Sequence, residues 1–195
     1  MDKNSDLENA MKKYMDSNRS NRTTRRNRLR ELLKNESVDT RYQLLMNVRG
    51  VEYRTWSGPH ESAYTDDLEI IRDMLDGFPS SKKYDVLKMQ DSGHSTPLHN
   101  AAYCGYSPII TYLMTDLSQQ QKYNLLKIQD QWGNTALHDV ATNNKVEAFR
   151  AILSSVPYHM LLELLNIKNN KRKSAVDIRP KLKDELLNSI AQGMT

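Results

Sequence analysis

His60, His99 and His138 stand 39 residues apart, and Ala63, Ala102 and Ala141 keep the same interval. So do Ile70, Ile109 and Ala148, then Leu75, Met114 and Leu153, then Leu87, Leu126 and Leu165. Even Lys88-Met89-Gln90-Asp91 returns as Lys127-Ile128-Gln129-Asp130. A repeat of this length is one supersecondary unit that cannot bury its apolar face alone, so successive units must stack on one another. A stack offers a surface more readily than a pocket, and function becomes a question about that surface.

Composition agrees. Only 38% of the 195 residues are hydrophobic and 27% are charged, as suits a one-dimensional stack that exposes more of each unit than a globule does. Low hydrophobicity also marks disorder, but the regular apolar spacing from Leu68 to Ile167 argues against it over the middle of the chain. The single cysteine, Cys104, excludes an internal disulfide and fits a reducing compartment. Met1-Asp2-Lys3-Asn4-Ser5-Asp6 has no signal-peptide character, and no apolar run approaches the roughly 18 residues of a membrane span. Cytoplasm or nucleus is the expected location.

Each unit reads alike. A polar turn such as Asp130-Gln131-Trp132-Gly133-Asn134 opens it, its glycine suited to a left-handed backbone at the tip. A short first helix follows, with Thr135 as N-cap and small residues, Ala136 and Ala141, that allow close approach. The second helix carries apolar residues at i, i+1, i+4 and i+5, as in Ile109, Ile110, Leu113 and Met114, which make one stripe at helical period. A third apolar cluster closes the unit: Tyr84, Val86, Leu87, Met89, then Tyr123, Leu125, Leu126, Ile128, then Leu162, Leu164, Leu165, Ile167. Its spacing fits a strand poorly and predicts an extra short helix.

Ser95-Thr96-Pro97-Leu98-His99-Asn100-Ala101-Ala102 and Gly133-Asn134-Thr135-Ala136-Leu137-His138 resemble the ankyrin repeat signature of a glycine turn, Thr-Pro-Leu-His and alanines. The resemblance implies an all-α solenoid of helix pairs with hairpin-like fingers, here with an extra short helix in each repeat. Ankyrin units are usually about 33 residues long, and the surplus here falls between the second helix and the next turn. His94 and Arg172 stand where the family usually has glycine.

The units divide as 51–90, 91–129 and 130–168. Residues 1–50 read as a diverged first unit with Leu7, Met11, Tyr14 and Met15 on its first helix, its matches to the next unit displaced to a spacing of 42. Residues 169–195 read as a truncated last unit in which Pro180 shortens the first helix and Leu186, Leu187, Ile190 and Ala191 form a final stripe. Diverged terminal units that expose a polar outer face are what a stack needs for solubility.

The three histidines could suggest a metal array, but equivalent side chains on stacked units lie about 10 Å apart, too far to share an ion. The resemblance implies instead that His99 and His138 hydrogen-bond backbone and Thr96 or Thr135, fixing each turn. His60-Glu61-Ser62-Ala63-Tyr64 lacks the second imidazole of a zinc-protease helix. No phosphate loop and no nucleophile constellation occurs, and Cys104 reads as a packed small residue. Neither enzyme activity, nor a cofactor, nor a metal is expected.

The resemblance also implies that partners dock on the finger tips and the exposed face of the first helices. Carried over by position, the candidates are Tyr53, Arg54 and Trp56 on the first finger and Ser92, His94 and Ser95 on the second. Gln131, Trp132 and Asn134 follow on the third, Asn170, Lys171 and Lys173 on the fourth, with Tyr64, Tyr103, Thr142 and Asn143 from the first helices. Trp, Tyr and Arg dominate interface hot spots, and both tryptophans fall on fingers.

Two basic stretches compete for attention. Six arginines from Arg19 to Arg30 and Lys34 face Glu31 alone, and seven cations from Lys168 to Lys183 face Asp177 alone, each a net +6. Leu29, Leu32 and Leu33 among the arginines favour a solvated helix face over a nucleic-acid site. The expected function is a monomeric, non-enzymatic scaffold or adaptor that binds another protein; the alternative is a basic-ended module for nucleic acid or an acidic membrane surface.

Overall fold

The period returns as geometry in the computed structural model, which describes residues 3–16, 21–47, 57–182 and 184. Thirteen helices and no strand occur among the described residues. The chain runs through α1 (Lys3–Met15), α2 (Arg22–Leu33) and α3 (Val38–Asn47), then α4 (Gly58–Tyr64), α5 (Leu68–Leu75) and α6 (Ser80–Leu87). It continues with α7 (Pro97–Cys104), α8 (Ser107–Met114) and α9 (Gln119–Leu126), then α10 (Ala136–Thr142), α11 (Val146–Leu153) and α12 (Tyr158–Leu165), and closes on α13 (Ala175–Ile178).

The first helices α4, α7, α10 and α13 pack side by side. Their buried alanines, Ala63, Ala102, Ala141 and Ala175, permit that approach. Ser57, Thr96, Thr135 and Ser174 precede them in extended backbone, and Pro97 opens α7 where a missing N–H costs nothing. The second helices bury the whole apolar stripe: Ile70, Ile71, Met74 and Leu75, then Ile109, Ile110, Leu113 and Met114, then Ala148, Phe149, Ile152 and Leu153. Each larger member contributes about 1.5–3 kcal/mol of burial.

The extra cluster is helical, as its spacing predicts, and α3, α6, α9 and α12 form a third row. A cation ties this row to the second helices. Arg41 on α3 donates to the carbonyls of Asp73 (2.9 Å) and Asp76 (2.7 Å) at the end of α5. One unit on, Lys83 on α6 donates to the carbonyls of Tyr112 (3.0 Å) and Thr115 (2.9 Å) at the end of α8. A buried lysine is expensive; here it satisfies helix-terminal carbonyls at the negative end of the helix dipole. Burial pushes its pKa down while Asp116 and Asp76 oppose that shift.

The backbone bends repeat too. Asp66, Gly105 and Asn144 take positive φ between first and second helices, Gly77 and Asp116 between second and third, and His94, Gly133 and Arg172 in the fingers. Asp and Asn tolerate this region comparatively well; His94 (φ 60°) and Arg172 (φ 59°) do not. Replacing either with glycine is expected to raise stability by about 0.5–1 kcal/mol, the left-handed penalty less glycine's own entropic cost. A urea titration checks this, and a lowered midpoint would contradict it.

At the start of the chain α1 buries Leu7, Met11, Tyr14 and Met15 and packs on α2 and α4. The Tyr14 hydroxyl lies 3.0 Å from Ser62 Oγ, and burial raises its pKa. The arginine run corrects the solvated-face expectation. Arg26 bridges Asp67 (2.8 Å) and Glu69, Arg30 bridges Glu69 (2.7 Å) and Asp73 (2.5 Å), and Arg25 sits against Asp16. Arg26 and Arg30 thus join α2 to the acidic side of α5, while Arg22 lies against Glu61 and Arg28 stays beside Glu31 nearer the solvent. At the other end α13 stops at Ile178, where Pro180 forces Arg179 into extended backbone. The final stripe at Leu186, Leu187, Ile190 and Ala191 lies outside the described residues.

Candidate functional site

Each of the three described fingers is built around one side-chain oxygen. Asp91 Oδ1 accepts from the backbone N–H groups of Gly93 (2.8 Å) and Ser95 (2.9 Å). Asp130 Oδ1 does so for Trp132 (2.9 Å) and Asn134 (2.7 Å), and Asn169 Oδ1 for Lys171 (3.0 Å) and Lys173 (3.1 Å). These Asx turns close the tips locally, and backbone bonds then join tip to tip: Gln131 N–H to the Gly93 carbonyl (2.9 Å), Asn170 N–H to the Trp132 carbonyl (3.0 Å). Glycine is required at Gly133, where a Cβ would come within 2.8 Å of the Asn170 nitrogen.

The histidines lock fingers to helices. Nδ1 of His99 accepts from the Thr96 backbone N–H (3.2 Å) and lies 2.8 Å from its hydroxyl, while Nε2 donates to the Asn134 carbonyl (3.2 Å). His138 repeats this with Thr135 and the Lys173 carbonyl, and His60 with Ser57 and the Ser95 carbonyl. A backbone N–H can only donate, so each ring is the neutral Nε2–H tautomer. Burial accordingly pushes the His99 and His138 pKa values below 6.5. With both nitrogens engaged, the melting temperature is expected to be identical with and without a chelator. A chelator-dependent drop, with zinc found by elemental analysis, would reverse this.

Among the described residues, three large aromatic side chains stand exposed on this face. Trp132 is 59% exposed at its tip, Tyr103 53% and Tyr64 39% at the ends of α7 and α4, and Thr142 takes the next equivalent place. Ser92, His94, Gln131, Lys171 and Lys173 are exposed. Ser95, Asn134 and Asn143 are half-buried and already engaged. The Ser95 carbonyl serves His60, Asn134 Oδ1 accepts from Asn169, and the Asn143 amide donates to the Asp139 carbonyl. Tyr53, Arg54 and Trp56 lie outside the described residues. Cys104 is half-buried at the end of α7, where burial raises its pKa.

Asp139, on α10, escaped the sequence reading. Its counterpart one unit earlier, Asn100, donates to the His60 carbonyl (3.2 Å); an ionised carboxylate at that place cannot donate. Burial, with Asp130 nearby, holds Asp139 well above the usual carboxylate range. The folded state therefore binds a proton that the unfolded state releases, and stability falls as pH rises from the unfolded towards the folded pKa. Asp139→Asn restores a donor and is expected to stabilise by about 1 kcal/mol near pH 7 and by less near pH 4. Urea midpoints of both proteins at the two pH values measure this; an equal or lower midpoint near pH 7 would contradict it.

Residues 59–163 match the family model of ankyrin repeats, in three copies. The chain belongs to the ankyrin repeat family. The histidine locks and glycine-type fingers are thus the ankyrin framework, with the third row of helices as an addition to its helix pairs. Ankyrin repeats are generally protein–protein interaction modules. No curated protein matches the chain, and no helix among the described residues is long and apolar enough to cross a membrane.

Proposed function

We propose that this ankyrin protein is a monomeric, non-enzymatic scaffold or adaptor that holds a partner protein on the face made by its finger tips and first helices, the concave groove of ankyrin stacks. Residues 1–50 and 169–195 act as its diverged end units. The observation that carries the reading is Trp132: an exposed indole on a tip whose backbone is fixed by Asp130, Gly133 and Asn170. Aromatic anchors on rigid backbone lose little entropy on binding, and such anchors supply most interface energy. Tyr103 and Tyr64 extend the aromatic surface across two further units.

The nucleic-acid or membrane alternative needs cations free for phosphate. The α2 arginines are largely committed to α5 and neighbouring acids, which leaves that reading only the far end of the chain. Affinity capture tests the proposal, with the intact protein compared against a Trp56/Trp132 double alanine variant. Partners retained by the first and lost from the second support it; identical capture by both opposes it.

A further inference from the structure

Lys171, Arg172 and Lys173 are consecutive and exposed on the last finger, and among the described residues none has a carboxylate within 4.0 Å. Arg26, Arg30, Lys82, Lys83, Lys88 and Lys168 sit against acids. Lys34, Lys122, Lys127 and Lys145 do not among the described residues, but each stands alone in the sequence rather than in a run of three. The backbone beneath the triplet is fixed. Asn169 Oδ1 holds the N–H groups of Lys171 and Lys173, and the Arg172 N–H donates to the Asn169 carbonyl (2.8 Å). Arg172 also keeps a left-handed backbone where the preceding finger uses glycine. A side chain carried at that conformational cost points to a use for it.

The triplet adjoins the aromatic anchor, because Lys171 is the counterpart of Trp132 one unit on and Asn170 is bonded to the Trp132 carbonyl. Among the described residues, nearby acids do not neutralise it. Asp177 is held by Lys168 (2.5 Å), and Asp130 Oδ1 is turned into its own finger. We propose that the partner presents an acidic protein segment, in which a short run of Asp or Glu side chains meets Lys171, Arg172 and Lys173 beside an apolar or aromatic side chain on Trp132. This rests on the groove reading above and narrows it to one chemistry. Arginine can grip a carboxylate through two parallel N–H bonds, and the lysines add attraction that speeds encounter. A nucleic acid fits less well. Its regularly spaced phosphates need a continuous basic track, whereas the face beyond this finger offers Tyr103, Thr142 and Tyr64.

Selection of short random peptides displayed against the intact chain tests this, with affinities of the enriched sequences then measured as synthetic fluorescent peptides. The expected consensus is a cluster of Asp and Glu beside Trp, Phe or Leu. Its affinity should fall roughly tenfold or more in a Lys171→Ala/Arg172→Gly/Lys173→Ala variant, and also at high ionic strength. The variant's urea midpoint should be unchanged or higher, since Arg172→Gly relieves the backbone. A neutral or basic consensus, or an acidic one indifferent to the triple substitution, overturns the proposal. So does tighter binding of an oligo-dT probe than of the peptides. Peptides that depend on Trp132 but carry no acids leave the groove reading standing while the acidic partner fails. If no peptide depends on Trp132 or Tyr103, both fail.

Discussion

Leu113→Ala is expected to destabilise the chain by roughly 2–5 kcal/mol, the cost of a buried large-to-small change whose cavity only partly collapses. Leu113 is fully buried on α8, one helix of the row that links consecutive units, and α8 packs directly on α11. In a stack each unit is stabilised mainly by its neighbours, so a cavity here weakens the central unit and the coupling on which the flanking ones depend. A urea titration followed by far-UV circular dichroism measures the loss. A change below about 0.5 kcal/mol, typical of surface positions, would mean that the stripe does not face the core.

Trp132→Ala is expected to weaken partner binding by about 2 kcal/mol or more while shifting stability by no more than about 0.5 kcal/mol. The two effects separate because the indole contributes little to the fold. Its tip is closed by Asp130 and Gly133 and tied to Asn170 through backbone atoms that alanine keeps. Titration calorimetry with a captured partner, paired with the same denaturant series, reads both. A large loss of stability with affinity intact in the folded fraction would make Trp132 a packing residue.

The framework was legible because every unit solves the same local problem with the same residues. The places of His94 and Arg172 as glycine positions came from the family resemblance, whereas the apolar pairs of Ile109 to Met114 and the third clusters around Leu87, Leu126 and Leu165 are local patterns. Repetition at one spacing separated them from chance. The roles of His99 and His138 came from resemblance, and the hydrogen bonds agree with it.

Contacts joining different units were harder to read. Arg26 and Arg30 meet Asp67, Glu69 and Asp73 some forty residues away, between units whose spacing differs from the rest. From sequence, a row of arginines on a helix looks the same whether solvated or paired. Arg41 and Lys83 gave a faint signal, cations at equivalent places beside the third clusters, but nothing local says that a lysine there turns inward to cap the next helix. Asn134 and Ser95 looked available because side-chain and carbonyl bonds across fingers leave no mark on periodicity. Asp139 could have been found by comparison with Asn100 in the aligned units.

Amide hydrogen exchange of the chain with and without a bound partner tests the central claim most directly. Slowed exchange is expected in the finger tips around Ser92–Ser95, Gln131–Asn134 and Asn170–Lys173 and at the ends of α4 and α7, with α6, α9 and α12 unchanged. Two other large apolar side chains, Tyr158 and Leu162, stand exposed on α12 in the third row. Protection centred there, with the fingers unaffected, would place the working surface on the added helices and contradict the groove reading.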